Sequence, residues 1–396
     1  MREAMLPVYA PPTEVFERGE GMRLFTTEGD AYLDFISGIA VNALGHAHPK
    51  MIEALNDQAH KLWHTSNMFR VPAGEQLAEK YCAKTFADQV FFTNSGTEAI
   101  ECALKTARKY HYVNGEPHRQ EFITFTGAFH GRSFGAINAG GNPAYLEGFG
   151  EPMAGFRQLE FGDMEAVRNA ITKDTCAVLI EPVQGEGGVR EVPVEELIEL
   201  RKLCDESGTL LIYDEVQCGA GRTGKLFAHQ WADGKADPDI MAVAKGVGGG
   251  FPLGACLVTE EAGKGMKPGS HGSTYGGNPL AMAVGNVVFD TLCEDGFLEQ
   301  VQQVAGTLKQ GLASLKDRYP ELVEDVRGKG LLTGIKLKTP NKALQVKARD
   351  HKLLCGVAGD NVLRLAPPLI ATDDDIREAI NILDACLADT SPEDTA

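Results

Sequence analysis

Residues 176–216 decide the fold, because CAVLIEP (176–182), VEELIELRKLCDE (194–206) and TLLIYDEV (209–216) follow one another there. The outer two stretches are short and almost wholly apolar, which is typical of strands buried on both faces of a sheet. The middle stretch has the length and the pattern of a helix. A strand, a helix and a second strand at this spacing indicate a βαβ crossover, which joins parallel strands. The sequence therefore predicts a parallel sheet with helices on its faces.

Alternating helix and strand patterns continue on both sides of this unit. A short apolar strand at 90–93 precedes a helix, and another at 240–243 runs directly into Lys245. The helix after residue 93 has four apolar residues on one face: Ile100, Ala103, Leu104 and Ala107. These patterns extend the predicted sheet towards both ends of the chain.

The character of the sequence changes near Asp295. Shorter strands are expected at 331–337 and 362–365, and a closing helix begins at Thr372, a residue type that caps helix N-termini. We therefore predict an α/β protein with three parts. They are an N-terminal segment, residues 1–48, that joins the small domain, a large domain with a mostly parallel sheet, residues 49–290, and a smaller α/β domain, residues 291–396.

Composition limits the partners and the compartment. The 396 residues are 43% hydrophobic, and 55 acidic against 38 basic residues give a net charge of −17. Such a chain repels nucleic acid and anionic membranes, so neither is an expected partner. Nine scattered cysteines without a CxxC pair favour a reducing compartment. With no secretory signal and no apolar run long enough to cross a bilayer, we expect a cytoplasmic protein.

Two candidate sites follow predicted strands. Ser95-Gly96-Thr97 stands where a strand meets a helix, and the free N–H groups of a helix N-terminus bind phosphate. An ordinary helix cap is the alternative. Asp214 and Gln217 lie at the carboxyl end of a buried strand, where ligands bind in open α/β sheets. A carboxylate there can pair with a protonated ring nitrogen, or simply cap the next turn.

Lys245 lies in an unusual setting. It is preceded by the apolar AVA (242–244) and followed by GVGGGFP (246–252). Burial and nearby cations lower the pKa of an amine, and a neutral amine can form a Schiff base. A surface lysine beside a flexible loop is the other interpretation.

Two further motifs are weaker. GAGRTG (219–224) matches the dinucleotide pattern GxGxxG, but no convincing helix opens after it. His46 and His48 are spaced like a metal pair, yet no third ligand is near in the sequence, so we expect a turn and no metal.

Taken together and in this order, the motifs resemble those of the class-III aminotransferases of pyridoxal-phosphate fold type I. The resemblance rests on SGTEA (95–99), AFHGR (128–132), EPVQGEGG (181–188), DEVQ (214–217), Lys245 ahead of GGGFP, HGSTYGGNP (271–279) and LRLAPPL (363–369). It covers nearly the whole chain. GIAVNALGHAHP (38–49) and KLWHTSN (61–67) are similar to the acetylornithine aminotransferase subgroup in particular.

The resemblance implies a role for each cofactor residue. Lys245 corresponds to the lysine that binds pyridoxal phosphate as a Schiff base and then moves a proton, and Asp214 to the partner of the ring nitrogen. The remaining implied contacts are the phosphate cup, the stacking aromatic, the ring 3-oxygen and a phosphate contact from the second subunit of a homodimer: Ser95, Gly96 and Thr97; Phe129; Gln217; and Thr274.

The resemblance also implies the substrate contacts. Arg132 corresponds to the residue that grips a substrate carboxylate, and Arg364 to the one that binds the α-carboxylate of glutamate. Glu186 corresponds to the acid that pairs with Arg364 when no glutamate is present. Ser273 is expected near the substrate, and Glu181 beneath the site, where structural support is a sufficient interpretation.

One position separates subgroups of this family. Ornithine aminotransferases have a tyrosine where this chain has Ile39. An apolar side chain removes a polar contact to the α-amino group of free ornithine. It suits an acylated amine, or a substrate with no α-amino group such as 4-aminobutyrate. The expected reaction is therefore transamination between N2-acetylornithine and 2-oxoglutarate in arginine synthesis. Succinyl-diaminopimelate, 4-aminobutyrate and ornithine are alternative donors. A nicotinamide dehydrogenase that uses GAGRTG, or a binding protein without catalysis, are alternatives of other classes.

Overall fold

The structure is a computed structural model that describes residues 4–391. Its strands are β1 Phe16–Glu20, β2 Arg23–Thr26, β3 Ala31–Asp34, β4 Gln89–Thr93, β5 Glu121–Phe125, β6 Phe156–Leu159, β7 Thr175–Ile180, β8 Val183–Gln184, β9 Arg190–Glu191, β10 Leu210–Asp214, β11 Ile240–Val243, β12 Gly254–Val258, β13 Val323–Lys329, β14 Leu332–Leu337, β15 Leu353–Leu354, β16 Gly356–Ala358 and β17 Val362–Leu365.

Its helices are α1 Ser37–Ala40, α2 Pro49–Ala59, α3 Pro72–Lys84, α4 Gly96–Val113, α5 Phe134–Gly140, α6 Pro143–Leu146, α7 Met164–Ala170, α8 Val194–Ser207, α9 Glu260–Gly263, α10 Pro279–Leu292, α11 Phe297–Arg318, α12 Asn341–Asp350 and α13 Asp373–Ala388, with 3₁₀ turns at Ala228–Ala232 and Lys245–Gly248.

The predicted crossover is confirmed. Strand β10 pairs in parallel with β7, and helix α8 connects the two. The central sheet has the order β4-β12-β11-β10-β7-β5-β6, and β12 alone runs antiparallel to its neighbours. That reversal is possible because β11 and β12 are joined by the short segment 244–253 and not by a crossover helix. Lys245 is the second residue of this segment and therefore lies at the carboxyl end of β11, beside the end of β10.

Helix α4 shows why this edge of the sheet can bind an anion. Its four predicted face residues are all buried against the sheet, so the helix has a fixed orientation. Ser95 caps its N-terminus, and the Ser95 hydroxyl accepts a hydrogen bond from the Glu98 N–H at 3.3 Å. The capping interpretation is thus confirmed, and it leaves the other N–H groups of the first turn available to a ligand.

The C-terminal part forms its own antiparallel sheet, in the order β13-β14-β17-β16. Thr372 caps α13 as predicted, with a reciprocal capping box to Asp375. The N-terminal strands β1, β2 and β3 form a further sheet, which β15 from the C-terminal part completes by pairing in parallel with β3. The domain limits at residues 48 and 290 stay a prediction.

The GAGRTG motif (219–224) contacts the C-terminal part of the chain. No helix opens directly after the motif, since the next element is the 3₁₀ turn at Ala228–Ala232. Arg222 is fully buried, donates to the carbonyl oxygens of Leu331 (at 3.2 Å) and Pro367, and burial lowers its pKa to about 9. The motif therefore ties the large sheet to the C-terminal part.

His46 is also accounted for by a structural contact. Its Nε2 lies 2.8 Å from Oδ2 of the buried Asp34. Within residues 4–391, no cluster of three or more His, Cys, Asp or Glu side chains could hold a metal ion. In the same range, no helix is both long enough and apolar enough to cross a membrane.

Candidate active site

A cavity of about 370 Å³ opens at the carboxyl edge of the central sheet. Six of the residues that the sequence singled out line it together: Ser95, Gly96, Thr97, Phe129, Asp214 and Lys245. They come from four separate loops, which the parallel strands bring to one place.

The phosphate-binding end of the cavity depends on two glycines. A Cβ at Gly96 would lie 2.7 Å from Cγ1 of Val216, and a Cβ at Gly131 would lie 2.1 Å from Oγ1 of Thr97. Gly131 also has φ +126°, a conformation that other residues rarely adopt. Only glycine at these positions lets the loop approach the N-terminus of α4, where free N–H groups and the helix dipole favour an anion.

Asp214 is the last residue of β10 and is 3% exposed. Its Oδ2 lies 2.7 Å from Nδ1 of His130, and its Oδ1 accepts the N–H of Val216 at 2.9 Å. Nε2 of His130 is buried and has no hydrogen-bond partner in the part of the chain that the structure describes. Sequence reasoning missed His130 as a functional residue, although it stands inside the AFHGR motif next to Phe129.

Lys245 meets the requirements for a nucleophilic amine. Burial is the main cause that lowers the pKa of its ammonium group, against the opposing charge of Glu186. Its Nζ makes no hydrogen bond or ion pair with any residue between 4 and 391. A buried amine that is easily deprotonated and has no partner is available to react with a carbonyl group.

Glu181 lies beneath the cavity and is 5% exposed. Its Oε2 accepts the N–H of Phe129 at 3.3 Å, which supports the loop that carries the aromatic ring. Burial raises the pKa of Glu181 well above its ordinary value, and the negative charge of Asp214 adds to the effect. Burial and the neighbouring carboxylate thus both favour the neutral form of Glu181.

Arg364, Glu186 and Gln217 form one hydrogen-bonded cluster beside Lys245. Nη1 of Arg364 donates to Oε1 of Glu186 at 2.5 Å and to Oε1 of Gln217 at 3.2 Å. Nε2 of Gln217 donates to the same Glu186 oxygen at 3.3 Å. Burial raises the pKa of Glu186, but the charge and hydrogen bond of Arg364 outweigh it, so the net pKa lies below the ordinary value. Arg364 therefore favours the charged form of Glu186.

Arg132 has a different environment. It is exposed, and no acidic side chain among the described residues pairs with it. Its backbone N–H donates to Oγ1 of Thr97 at 3.3 Å, and its Cζ lies 3.8 Å from the centroid of the Tyr145 ring. The cavity thus has two guanidinium groups nearby, of which one is already neutralised and one is free.

Ser273 and Thr274 do not line the cavity of the single chain. The Ser273 hydroxyl accepts from Asn94 Nδ2 at 3.0 Å and from the N–H of Gly276 at 3.2 Å, while Thr274 is exposed. Ile39 is 49% exposed and has φ 69°, in a turn whose four residues, Ser37–Ala40, all have positive φ.

These residues fit pyridoxal phosphate. The helix N-terminus offers N–H groups to a phosphate, Phe129 offers a ring face to a heteroaromatic ring, and Lys245 offers an amine to an aldehyde. The unpartnered Nε2 of His130 and the buried carboxylate of Asp214 form a polar part of the cavity wall, next to Val216. A protonated ring nitrogen beside Asp214 would satisfy that carboxylate.

Comparison with known proteins gives the family. The model of the family described as aminotransferase class-III matches residues 7–387. The chain is 58% identical to the acetylornithine aminotransferase of Mesorhizobium japonicum, over 96% of this chain and 94% of that protein. It is 57% identical to the acetylornithine aminotransferase of Agrobacterium fabrum, over 98% of each.

Solved structures agree. The N-acetylornithine aminotransferase of Stenotrophomonas maltophilia K279a superposes with a TM-score of 0.84 at 37% identity, covering 96% of this chain and 97% of that one. The ornithine aminotransferase of Toxoplasma gondii ME49 superposes with a TM-score of 0.92 at 30% identity, covering 98% and 93%. With the site geometry, these matches along almost the entire length show that the chain belongs to the class-III aminotransferases, which are pyridoxal-phosphate-dependent enzymes.

Proposed function

We propose that this aminotransferase transfers the δ-amino group of N2-acetyl-L-ornithine to 2-oxoglutarate. The products are N-acetyl-L-glutamate 5-semialdehyde and L-glutamate, and the step belongs to arginine synthesis. The observation that carries the proposal is the 58% identity to a protein named acetylornithine aminotransferase over 96% of this chain. Superposition alone does not separate the subgroups, since an ornithine aminotransferase superposes at least as well.

Bound pyridoxal phosphate supplies an aldehyde that takes up amino groups and a ring that withdraws electrons from the carbon that loses a proton. The N–H groups at the start of α4, with Ser95 and Thr97, would bind the phosphate. Asp214, oriented by His130, would hold a proton on the ring nitrogen, because a carboxylate accepts a short charge-assisted hydrogen bond. Phe129 would cover the ring face and exclude water.

Lys245 is the proton carrier of the reaction. Burial lowers the pKa of its ammonium group, so Nζ is able to take a proton from the substrate carbon that bears the amino group. Nζ would then deliver this proton to the carbon that comes from the cofactor's aldehyde. The negative charges of Glu186 and Asp214 act against burial and raise the pKa of Lys245, so the amine remains basic.

The two arginines divide the substrate charges. Arg132, which is free, receives the carboxylate of acetylornithine, whereas Arg364 is reserved for the α-carboxylate of glutamate. While acetylornithine is bound, Glu186 neutralises Arg364, and this limits the cost of a buried unpaired charge. When glutamate binds, its carboxylate replaces that of Glu186.

We also propose a homodimer in which Thr274 of each chain reaches the phosphate site of its partner. The support is an exposed apolar cluster on the same face: Trp63 is 64%, Met68 84%, Phe69 67% and Tyr275 63% exposed. Asn67 Nδ2 donates to the Ser273 carbonyl at 2.6 Å, so the cluster and the Thr274 loop form one surface. A patch of this kind on a single chain marks an interface. For the compartment we propose the cytoplasm, which the nine free thiols favour.

A donor panel with 2-oxoglutarate tests the function. Acetylornithine, succinyl-diaminopimelate, ornithine and 4-aminobutyrate are supplied at equal concentration, and glutamate formation is followed. We expect the acylated donors to have much the higher kcat/KM, because Ile39 offers no polar partner for the α-amino group of free ornithine. A preference for ornithine or 4-aminobutyrate would refute the proposed substrate, and Lys245→Ala provides the blank.

A further inference from the structure

Arg132 is held by aromatic rings. Its Cζ lies 3.8 Å from the centroid of the Tyr145 ring and 5.6 Å from that of Phe129. The two rings meet edge to face at 88°, with centroids 6.0 Å apart. The Tyr145 hydroxyl makes no hydrogen bond to any of residues 4–391, so the ring face is the part of this side chain that is used.

An aromatic ring can orient the guanidinium of Arg132 without blocking its substrate, whereas an acidic side chain cannot. A carboxylate would fix the guanidinium, but it would also occupy the N–H donors and cancel the charge that the substrate needs. A ring face attracts the cation and leaves the N–H donors at the edge of the guanidinium free for a bidentate carboxylate. Arg364 shows the other solution, because its acid partner Glu186 has to be displaced before a substrate carboxylate can bind.

Tyr145 is itself fixed relative to the phosphate site. Helix α6, which carries it, is capped by Asn142, whose Oδ1 accepts from the N–H of Ala144 at 3.0 Å. The preceding helix α5 is anchored to α4, because the Ser133 hydroxyl donates to Oε1 of Glu101 at 2.5 Å. The backbone N–H of Arg132 also contacts α4, through Thr97. The backbone of Arg132 and the start of α5, the helix that precedes α6, are therefore both hydrogen-bonded to α4.

We propose that Tyr145 is a positioning residue that orients the free guanidinium of Arg132 for the carboxylate of the amino donor. The inference rests on the proposed function and extends it from Arg132 to the side chain that aligns it. Stacking restricts an otherwise mobile arginine side chain before the substrate arrives, so less freedom is lost on binding.

The test compares Tyr145→Phe, which keeps the ring, with Tyr145→Leu, which keeps apolar bulk without a ring. Tyr112→Ala is the control, since Tyr112 also has a cation over its ring, with the centroid 4.9 Å from Nζ of Lys109, but lies on the exposed surface. Steady-state kinetics are measured with N-acetylornithine. The value of kcat/KM is also measured with the analogue in which a neutral carboxamide replaces the α-carboxylate.

We expect Tyr145→Leu to raise KM for acetylornithine about three- to tenfold, the range of one cation–π contact, with kcat nearly unchanged. Tyr145→Phe and Tyr112→Ala should stay close to the wild type, and kcat/KM for the carboxamide should be the same in Tyr145→Leu and wild type. Equal KM values for the Leu and Phe variants would overturn the inference, and so would a loss with the carboxamide as large as with the acid. A wild type that does not use acetylornithine would instead refute the proposed function.

Discussion

Glu181 and Asp214 are two buried carboxyl groups at the candidate active site that have different surroundings. Asp214 is paired with His130, while Glu181 accepts a single backbone N–H, that of Phe129. Burial, and then the charge of Asp214, raise the pKa of Glu181.

The raised pKa of Glu181 predicts a pH dependence of stability. The folded state holds this proton more tightly than the unfolded state does. Wild-type stability therefore falls as the pH rises from the unfolded pKa of Glu181 to its folded pKa, by about 1.4 kcal/mol per unit of difference between the two. Glu181→Gln keeps the hydrogen-bond acceptor and cannot ionise. Its free energy of unfolding relative to wild type should rise by about 1 kcal/mol or more between pH 5 and pH 8.

Urea unfolding of the cofactor-free protein at several pH values measures this difference. Glu299→Gln, on the exposed side of α11, is the matched control and should show no such trend. A constant difference between Glu181→Gln and wild type across the range would mean that Glu181 is ionised in the folded protein.

At the scale of elements, the site depends on how closely the loop before α5 approaches the start of α4. Gly131→Ala adds a Cβ at 2.1 Å from Thr97 Oγ1 and a side chain at φ +126°. The backbone at residue 131 and the side chain of Thr97 cannot both stay in place, so the phosphate-binding end of the cavity should be distorted. Cofactor affinity should then fall at least about tenfold, because charge-assisted hydrogen bonds to the phosphate are lost.

Absorbance titration with pyridoxal phosphate measures the affinity. Gly115→Ala is the control, since Gly115 follows the far end of α4 with φ +82° and has open space around it. It carries the backbone strain alone and should change stability but leave cofactor affinity unaltered. If both variants lose affinity equally, the strain and not the contact with Thr97 is responsible.

The elements that the sequence predicted well are those with local signals. Apolar strands, helical periodicity and the caps at Ser95 and Thr372 depend on neighbours within a few residues, so strand ends such as Asp214 could be located. The motif resemblance then joined these ends into one site.

Contacts between distant residues left no local signal. His130 meets Asp214 across 84 positions, and the Arg364–Gln217 contact spans 147. Arg222 stands in the GAGRTG stretch, whose match to a dinucleotide motif is weak, and its role is explained only by carbonyl groups more than a hundred residues away. The antiparallel β12 was not foreseen either, because its direction depends on a ten-residue connection and not on its composition.

At the scale of the whole molecule, the proposed dimer predicts a specific complementation. Lys245→Ala removes the reacting amine, and Thr274→Ala removes the contact offered to the partner. In a mixed dimer, one site then carries both defects and the other is intact. We expect purified heterodimers with two affinity tags to regain about half of the wild-type activity per dimer, far above either parent. Heterodimers no more active than their parents would show that Thr274 acts within its own chain.

The central claim is that one pocket serves two donors because Glu186 opens and closes access to Arg364. Single-turnover kinetics of the cofactor-loaded enzyme, with acetylornithine alone and with glutamate alone, test it most directly. Glu186→Ala should keep or accelerate the glutamate half-reaction and slow the acetylornithine half-reaction, because Arg364 is left uncompensated. Arg364→Ala should chiefly impair the glutamate half-reaction, by tenfold or more for about 1.5–3 kcal/mol of lost charge-assisted hydrogen bonding. Equal losses for both donors in both variants would contradict the account and show that the pair is only structural.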